Sequence, residues 1–341
     1  MILKIIIIYF LIVLLIFLKY SIINMAPKFF LKYNKNIIKK ILLFKIFKNI
    51  RRNIKDINTL FIKGNSRFGN YFISINNAII YCEFLGCKKI IIEKNKNIYI
   101  NKAILYKKKN ITIEPNQTFN SKENNSIIFN VYFFYFNNFR FLRNLNRFYI
   151  FKKQLLNNVP KVITHPDDLY IYIRSGDIFG QFKNVIQNYY QPPLCFYIKI
   201  LFKYKFREVF IISEDKLNPV IPLLLSQYSN IKFMKNNLKL DISYLINSYN
   251  IVAAKSTFFS ASIKLNGKLK FLWEYDFYST KSKSYLNFHY SFYKFHIYYT
   301  IYKMYSSINY KKIMMPWINS PRQRKRMIEE KCMNNFDIIR Q

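Results

Sequence analysis

Arginine, glycine and aspartate stand close together in LYIYIRSGDIFG, residues 169–180, and side chains of these types at this spacing can hold an anion. Arg174 directly follows an apolar run, so a buried strand delivers its guanidinium at the strand's carboxyl end. Gly176 lets the chain turn back with its amides exposed, as an approaching anion requires. A planar guanidinium grips two oxygens of a diphosphate at once, which an ammonium cannot do. The 341-residue chain has only six glycines, and two of them, Gly176 and Gly180, fall in this stretch. The bland alternative is an ordinary turn with a surface arginine. Because Arg174 lies beyond the strand, exchanging its head group is expected to cost activity and leave stability nearly untouched.

Alternating elements must position this loop. DLYIYI reads as a strand, PPLCFYIKILFKY as a helix with proline at its start, EVFIISED as a strand and NPVIPLLLSQYS as a helix. IKFM, IVAAKST and LKFLWEYD read as further strands, with helices at DISYLINSYN and FFSASIKLN. An earlier unit has the same order. NTLFIKGNSRFGN is a strand running into a loop with Gly64, Asn65, Gly69 and Asn70, YFISINNAIIYCEFLG is a helix stopped by Gly86, and CKKIIIE is a strand. Strand, loop, helix and strand in series predict α/β structure with parallel sheets and ligand-facing loops at the strands' carboxyl ends. Boundaries fall at residues 56–160 for a first lobe and 161–290 for a second, with a basic, aromatic, helical tail over 291–341. Trp273 reads as core packing, with a sugar-stacking platform as the alternative.

The run of apolar residues 5–18 approaches the length of a membrane span, so residues 1–24 are read as a signal anchor and residues 25–55 as a basic stem. Lysines after the run outnumber the one before it, which leaves the orientation open. The formal net charge is +38, yet the lysines are scattered among Ile, Asn, Tyr and Phe instead of gathering in a patch, so nucleic acid is not favoured as a partner. The four cysteines and three histidines show no zinc spacing. Cys82 and Cys87 are read as two buried small residues, with a disulfide between them possible on spacing. Asn110, Asn116 and Asn124 each begin an N-x-S/T sequon, which suits a lumenal domain.

YIRSGD resembles the H-x-R-x-G-D motif of the fucosyltransferase superfamily that includes the α1,2-, α1,6- and protein O-fucosyltransferases. IISEDKLNPVI looks like that superfamily's second motif, and LDISYLINSYNIVAAKSTFFSAS looks like its third. Upstream, GNSRFGNYFISINNAIIYCEFLG is similar to the glycine and asparagine loop of α1,2-fucosyltransferases. The resemblance covers roughly residues 58–275, with its sharp motifs between 172 and 262.

The resemblance implies a GT-B glycosyltransferase: two Rossmann-like doubly wound lobes behind an N-terminal transmembrane helix, the C-terminal lobe binding GDP-fucose without metal or other cofactor. Fucose would pass with inversion to a hydroxyl of a glycan or glycoprotein, in the endoplasmic reticulum or Golgi lumen. Arg174 would match the catalytic arginine on the donor's β-phosphate, Asp241 the acid that reads the guanine edge, and Ser256 with Thr257 the loop touching the diphosphate. Gly176 and Asp177 complete the first motif, and Asp215 belongs to the second motif's acidic pair. Tyr172 departs from the pattern, which has histidine there: its hydroxyl substitutes, donor choice has drifted, or activity is lost. Chemically, a fixed guanidinium would stabilise the charge that collects on a departing diphosphate. For the base, Asp177 and Glu83 are not separated by spacing, and Asp177 is better read as a brace for the loop. An inactive membrane-anchored binding or scaffold protein and a basic nucleic-acid-binding protein are the alternatives from other classes.

Overall fold

The structure, a computed structural model, describes residues 59–63, 75, 78, 79, 82, 86–93, 104–106, 111–116, 126–130, 159–180, 190–254, 256–263, 265–276, 299–332 and 335–340. All lie in the second of two units into which the chain divides, Asn58–Gln341. The apolar run 5–18, the stem, Gly64, Asn65, Gly69, Asn70, Glu83, Asn110 and Asn124 fall outside the described residues. Among the described residues no helix is long and apolar enough to cross a membrane.

The protein is α/β, with two largely parallel sheets. The first contains β1 (Thr59–Lys63), β2 (Lys89–Glu93), β3 (Ile104–Tyr106), β4 (Ile111–Asn116) and β5 (Ser126–Asn130), in the order β3-β4-β2-β1-β5. Only β3 and β4 pair antiparallel. Leu60, Phe61, Ile62, Ile90, Ile91 and Ile92 are all buried at successive positions, the pattern of strands in a covered parallel sheet. Between β1 and β2, Ile75, Ala78, Ile79 and Cys82 are helical and buried, and their spacing puts them on one face. Gly86 stops that helix at φ +79°, its amide bonding the Cys82 carbonyl at 2.9 Å. Cys82 and Cys87 are buried and not joined in a disulfide, and Cys82 Sγ donates to the Cys87 carbonyl at 3.0 Å.

The second sheet holds β6 (Leu169–Tyr172), β7 (Val209–Ile212), β8 (Ile231–Met234), β9 (Asn250–Val252), β10 (Phe271–Asp276), β11 (Thr300–Tyr305) and β12 (Asp337–Arg340), in the order β12-β11-β10-β9-β6-β7-β8. Its helices are α1 (Leu194–Lys203), α2 (Val220–Gln227), α3 (Leu238–Asn247), α4 (Thr257–Ile263), α5 (Ile308–Met314) and α6 (Pro321–Glu329). From β6 the chain builds outward through β7 and β8, then returns to the other side of β6 and builds the opposite way through β9, β10 and β11. The reversal lies between β6 and β9, where doubly wound sheets open a crevice at the strands' carboxyl ends.

Alternate residues of β6 feed two cores. Leu169, Ile171 and Ile173 join Phe196 of α1, Leu224 of α2, Tyr310 of α5 and Met327 of α6 on one face. Tyr170 and Tyr172 join Leu245 of α3 and Phe259 and Ile263 of α4 on the other. The segment 291–341, which reads as a helical tail, does hold helices, α5 and α6, but it also contributes β11 and β12, so sheet and core continue past residue 290. Composition hides this. The strand TIYKMY buries Lys303 among Ile301 and Met304 by pairing it with Asp276 at 2.5 Å. Cys195 of α1 and Cys332 beyond α6 form a disulfide across 137 residues, a pairing no local spacing announces.

Candidate functional site

Arg174 sits two residues past the end of β6, beside the reversal point. It is buried, not a surface arginine: its side chain is 8 % exposed. NH1 donates to Glu214 Oε1 at 2.7 Å, NH2 donates to Asp177 Oδ1, and the buried Nε has no hydrogen-bond partner. Burial by itself would weaken the guanidinium's hold on its proton. Tyr172, Glu214 and Asp177 together outweigh burial, and the group is held above its ordinary value.

The second motif laces the first in place. Asp215 Oδ1 accepts from Ser175 Oγ, from the Gly176 amide at 3.2 Å and from the Leu217 amide at 2.9 Å. Burial would raise the Asp215 carboxyl, but these donors and Arg174 prevail and hold it below the usual range. Asn218 donates through Nδ2 to the Arg174 carbonyl at 3.0 Å and through its amide to Ser175 Oγ at 2.9 Å, while its Oδ1 receives the Val220 amide at the start of α2. Gly176 has φ +59°, and a Cβ built there would lie 1.7 Å from Glu214 Oε2. Glycine is therefore required twice, for the turn and for the approach of Glu214.

One expectation is corrected. The loop does not offer an open row of amides: Gly176 N is taken by Asp215, and Phe179 N and Gly180 N both bond the Gly176 carbonyl at 3.0 Å in a short 3₁₀ turn. Three of the loop's amides are thus taken up within the loop and by Asp215.

Tyr172 is buried, stacks on Phe259 with ring centroids 5.7 Å apart, and receives a hydrogen bond from Ser256 Oγ at 3.3 Å. Burial pushes its phenol up, opposed by the adjacent Arg174 charge and by Ser256. Ser256 also caps α4, its Oγ accepting the Phe259 amide at 2.9 Å, and Thr257 opens that helix. Both therefore stand at the carboxyl end of β9, across the reversal from Arg174. The sequence reads a helix beginning at Asp241 in DISYLINSYN, but α3 begins earlier, at Leu238 under an Asn237 cap, so Asp241 falls in its first turn. It is 8 % exposed, its Oδ1 has no partner, and burial raises its carboxyl to about 6, with Asn236 opposing and the Glu214 charge adding. Glu214 thus links the two parts of the site, since its charge acts on both Arg174 and Asp241.

Sequence reasoning missed Ser213, Glu214 and Asn218. Glu214 is half of the acidic pair in IISEDKLN, of which the motif singled out only Asp215, and Ser213 and Asn218 lie beside that pair. Ser213 is 5 % exposed at the end of β7, and its Oγ has no partner. Asp168 and Trp273 have structural roles. Asp168 ends the PDD turn before β6, at the strand end opposite Arg174, and takes a two-point grip from Arg207 at 2.8 and 2.9 Å. Trp273 is buried and stacks on Tyr302 at 5.3 Å, which makes it core. Among the described residues no group of three His, Cys, Asp or Glu side chains could hold a metal ion.

Comparison with protein-family models, with curated proteins and with solved structures gives no match to this chain.

What the arrangement can do follows from its charges. Arg174 is pinned from below by the chain and faced by two carboxylates, one of which, Glu214, is 47 % exposed. An anionic oxygen arriving here would compete with the half-exposed Glu214 carboxylate for NH1.

Proposed function

We propose that this protein is a glycosyltransferase of GT-B architecture that uses a nucleoside diphosphate sugar, with GDP-fucose as the donor the sequence resemblance favours. The observation that carries the reading is the buried guanidinium of Arg174, with Nε unsatisfied, beside the strand reversal of a doubly wound sheet. A buried cation held at that place is arranged for an anionic ligand. In this reading Arg174 takes the β-phosphate and stabilises the charge that leaves with it. The loop around Gly176 fixes its angle through Asp177, Asp215 and Asn218, and Ser213 and Ser256 border the same crevice. Asp241 accepts from the base. Tyr172 fills the place of the motif's histidine and passes the hydroxyl contact to Ser256. The first sheet would form the acceptor lobe, and the apolar run 5–18 would anchor the protein with its lobes in the secretory lumen, where the Cys195–Cys332 disulfide is at home. No metal is needed to neutralise the diphosphate if Arg174 does so.

A second reading, an inactive binding protein of the same fold, is favoured by the two carboxylates that already occupy Arg174. One experiment separates the readings. GDP is expected to raise the melting temperature of the full-length protein more than UDP or CDP does, with or without chelator. GDP-fucose is then expected to be hydrolysed slowly by the wild-type protein and not by Arg174→Lys. Equal shifts for the three nucleotides would remove base selectivity, and a GDP-selective shift without hydrolysis or transfer would favour the inactive form.

A further inference from the structure

We infer that residues 317–324 form a strap that sets the position of the Arg174 loop, with Asn319 and Arg324 as positioning residues for the bound diphosphate. The inference rests on the phosphate role proposed for Arg174.

Three successive carbonyls of the loop are each bonded by a side chain from this strap. Trp317 Nε1 donates to Ile178 O at 3.0 Å, Arg324 NH2 donates to Phe179 O at 2.7 Å, and Asn319 Nδ2 donates to Gly180 O at 3.1 Å. The partners lie 139 to 145 residues apart in sequence, so nothing local creates the contact. Arg324 also donates through Nε to Asn319 Oδ1 at 2.8 Å and lies 5.6 Å from the Phe179 ring centre, while Phe179 packs edge-on against Trp317. Asn319 holds φ +56°, a conformation asparagine tolerates better than most residues.

The strap is itself stiff. Gln323 is buried and ties four backbone groups around it: its Nε2 donates to the carbonyls of Ile313 and Pro316, and its Oε1 receives the amides of Ile318 and Ser320. Ser320 and Gln323 form a reciprocal cap on α6, and Cys332 beyond that helix is fastened to α1. Side chains of the strap supply the hydrogen-bond donors for the loop's carbonyls at 178, 179 and 180. The strap grips the loop at residues 178–180, whereas Asp215 and Asn218 grip it at residues 174–176, so the segment carrying Arg174 is held at both ends. Sites of this kind lose function when a supporting group lets them drift by a fraction of an ångström.

The test compares variants of the full-length chain in detergent, at fixed ionic strength, with inorganic pyrophosphate as the probe. Arg324→Met removes both bonds and the charge. Asn319→Gly removes the amide and keeps the backbone conformation. Arg322→Met removes the same charge from a solvent-facing position on the same helix. Calorimetric titration is expected to show pyrophosphate affinity reduced roughly tenfold by Arg324→Met and by Asn319→Gly, and less than about twofold by Arg322→Met. Hydrogen exchange without ligand is expected to quicken in the peptide covering 176–180 for the first two variants alone. Equal losses for Arg322→Met and Arg324→Met would mean that only the electric field changed, and unaltered exchange in the loop would mean that the strap does not hold it. Either result overturns the inference. If Arg324→Met does not fold, Asn319→Gly decides the matter. Failure of the wild-type protein to bind pyrophosphate would instead overturn the phosphate reading itself, while the exchange comparison would still show whether the strap braces the loop.

Discussion

Lysine at position 174 would keep the charge but could not satisfy Glu214 and Asp177 as a planar fork does. Burial changes the expectation that holds for an exposed head group. Arg174→Lys is expected to lose donor turnover by a factor corresponding to about 3 to 4 kcal/mol, and also to lose about 2 kcal/mol of stability in urea unfolding, because one charge-assisted bond to a carboxylate is forfeited. Unchanged stability would mean that those pairs do not hold the loop. Asp241 gives the second residue-scale prediction. Burial raises its carboxyl from the ordinary value of 3.8 to about 6. The raised value means that the folded state keeps a proton the unfolded chain has released. Ionising buried Asp241 therefore costs nothing below pH 3.8, costs progressively more between about pH 4 and 6, and reaches its full penalty above 6. Asp241→Asn is expected to remove this fall, which two pH units put at roughly 3 kcal/mol, while weakening GDP binding at pH 7. Stability curves of the two proteins that stay parallel from pH 4 to 7 would exclude the effect.

The loop between β6 and α1 shows why its glycine is placed where it is. Gly176→Ala meets two separate obstacles, a left-handed backbone that costs an L residue roughly 1 to 2 kcal/mol and a collision with Glu214 Oε2. The second obstacle is the end of a half-exposed side chain, so it can move away, at the cost of its bond to Arg174. A double-mutant cycle separates them: Gly176→Ala is expected to destabilise the wild-type background by about 3 kcal/mol and the Glu214→Ala background by only the backbone share. Equal costs in both would show that Glu214 does not press on the loop. This loop was legible as a site because scarce glycine and a strand-end arginine coincide in 169–180. Of its bracing only Asp215 was legible, as part of an acidic pair; Asn218 and Asn319 were not, because they act largely through bonds to backbone atoms, for which many polar residues in an asparagine-rich chain would serve equally well.

At the scale of the whole molecule, the strands β6 to β10 could be read because each is a compact apolar run between turn residues, and the strand order then brings Arg174 and Ser256 to the same reversal. β11 and α5 could not, since a lysine in a strand and a tyrosine-rich surround look like the rest of this basic chain until Asp276 supplies the partner. The disulfide was hidden for a different reason. Pairing across 137 residues depends on α1 and the end of α6 being brought together by the sheet, which no spacing encodes. That span also sets its worth. Closing so long a loop removes much of the unfolded chain's freedom, up to about 5 kcal/mol on the chain-entropy account. Cys332→Ser is therefore expected to lower the urea midpoint substantially and to make it insensitive to dithiothreitol, whereas the wild-type midpoint should fall toward the variant's as reductant is added. Reduction should also quicken exchange in the strap, residues 317–324, before it affects β6. If reductant leaves the wild-type midpoint unchanged, the two thiols are not joined in the protein, and the proposal of a lumenal location loses one of its supports.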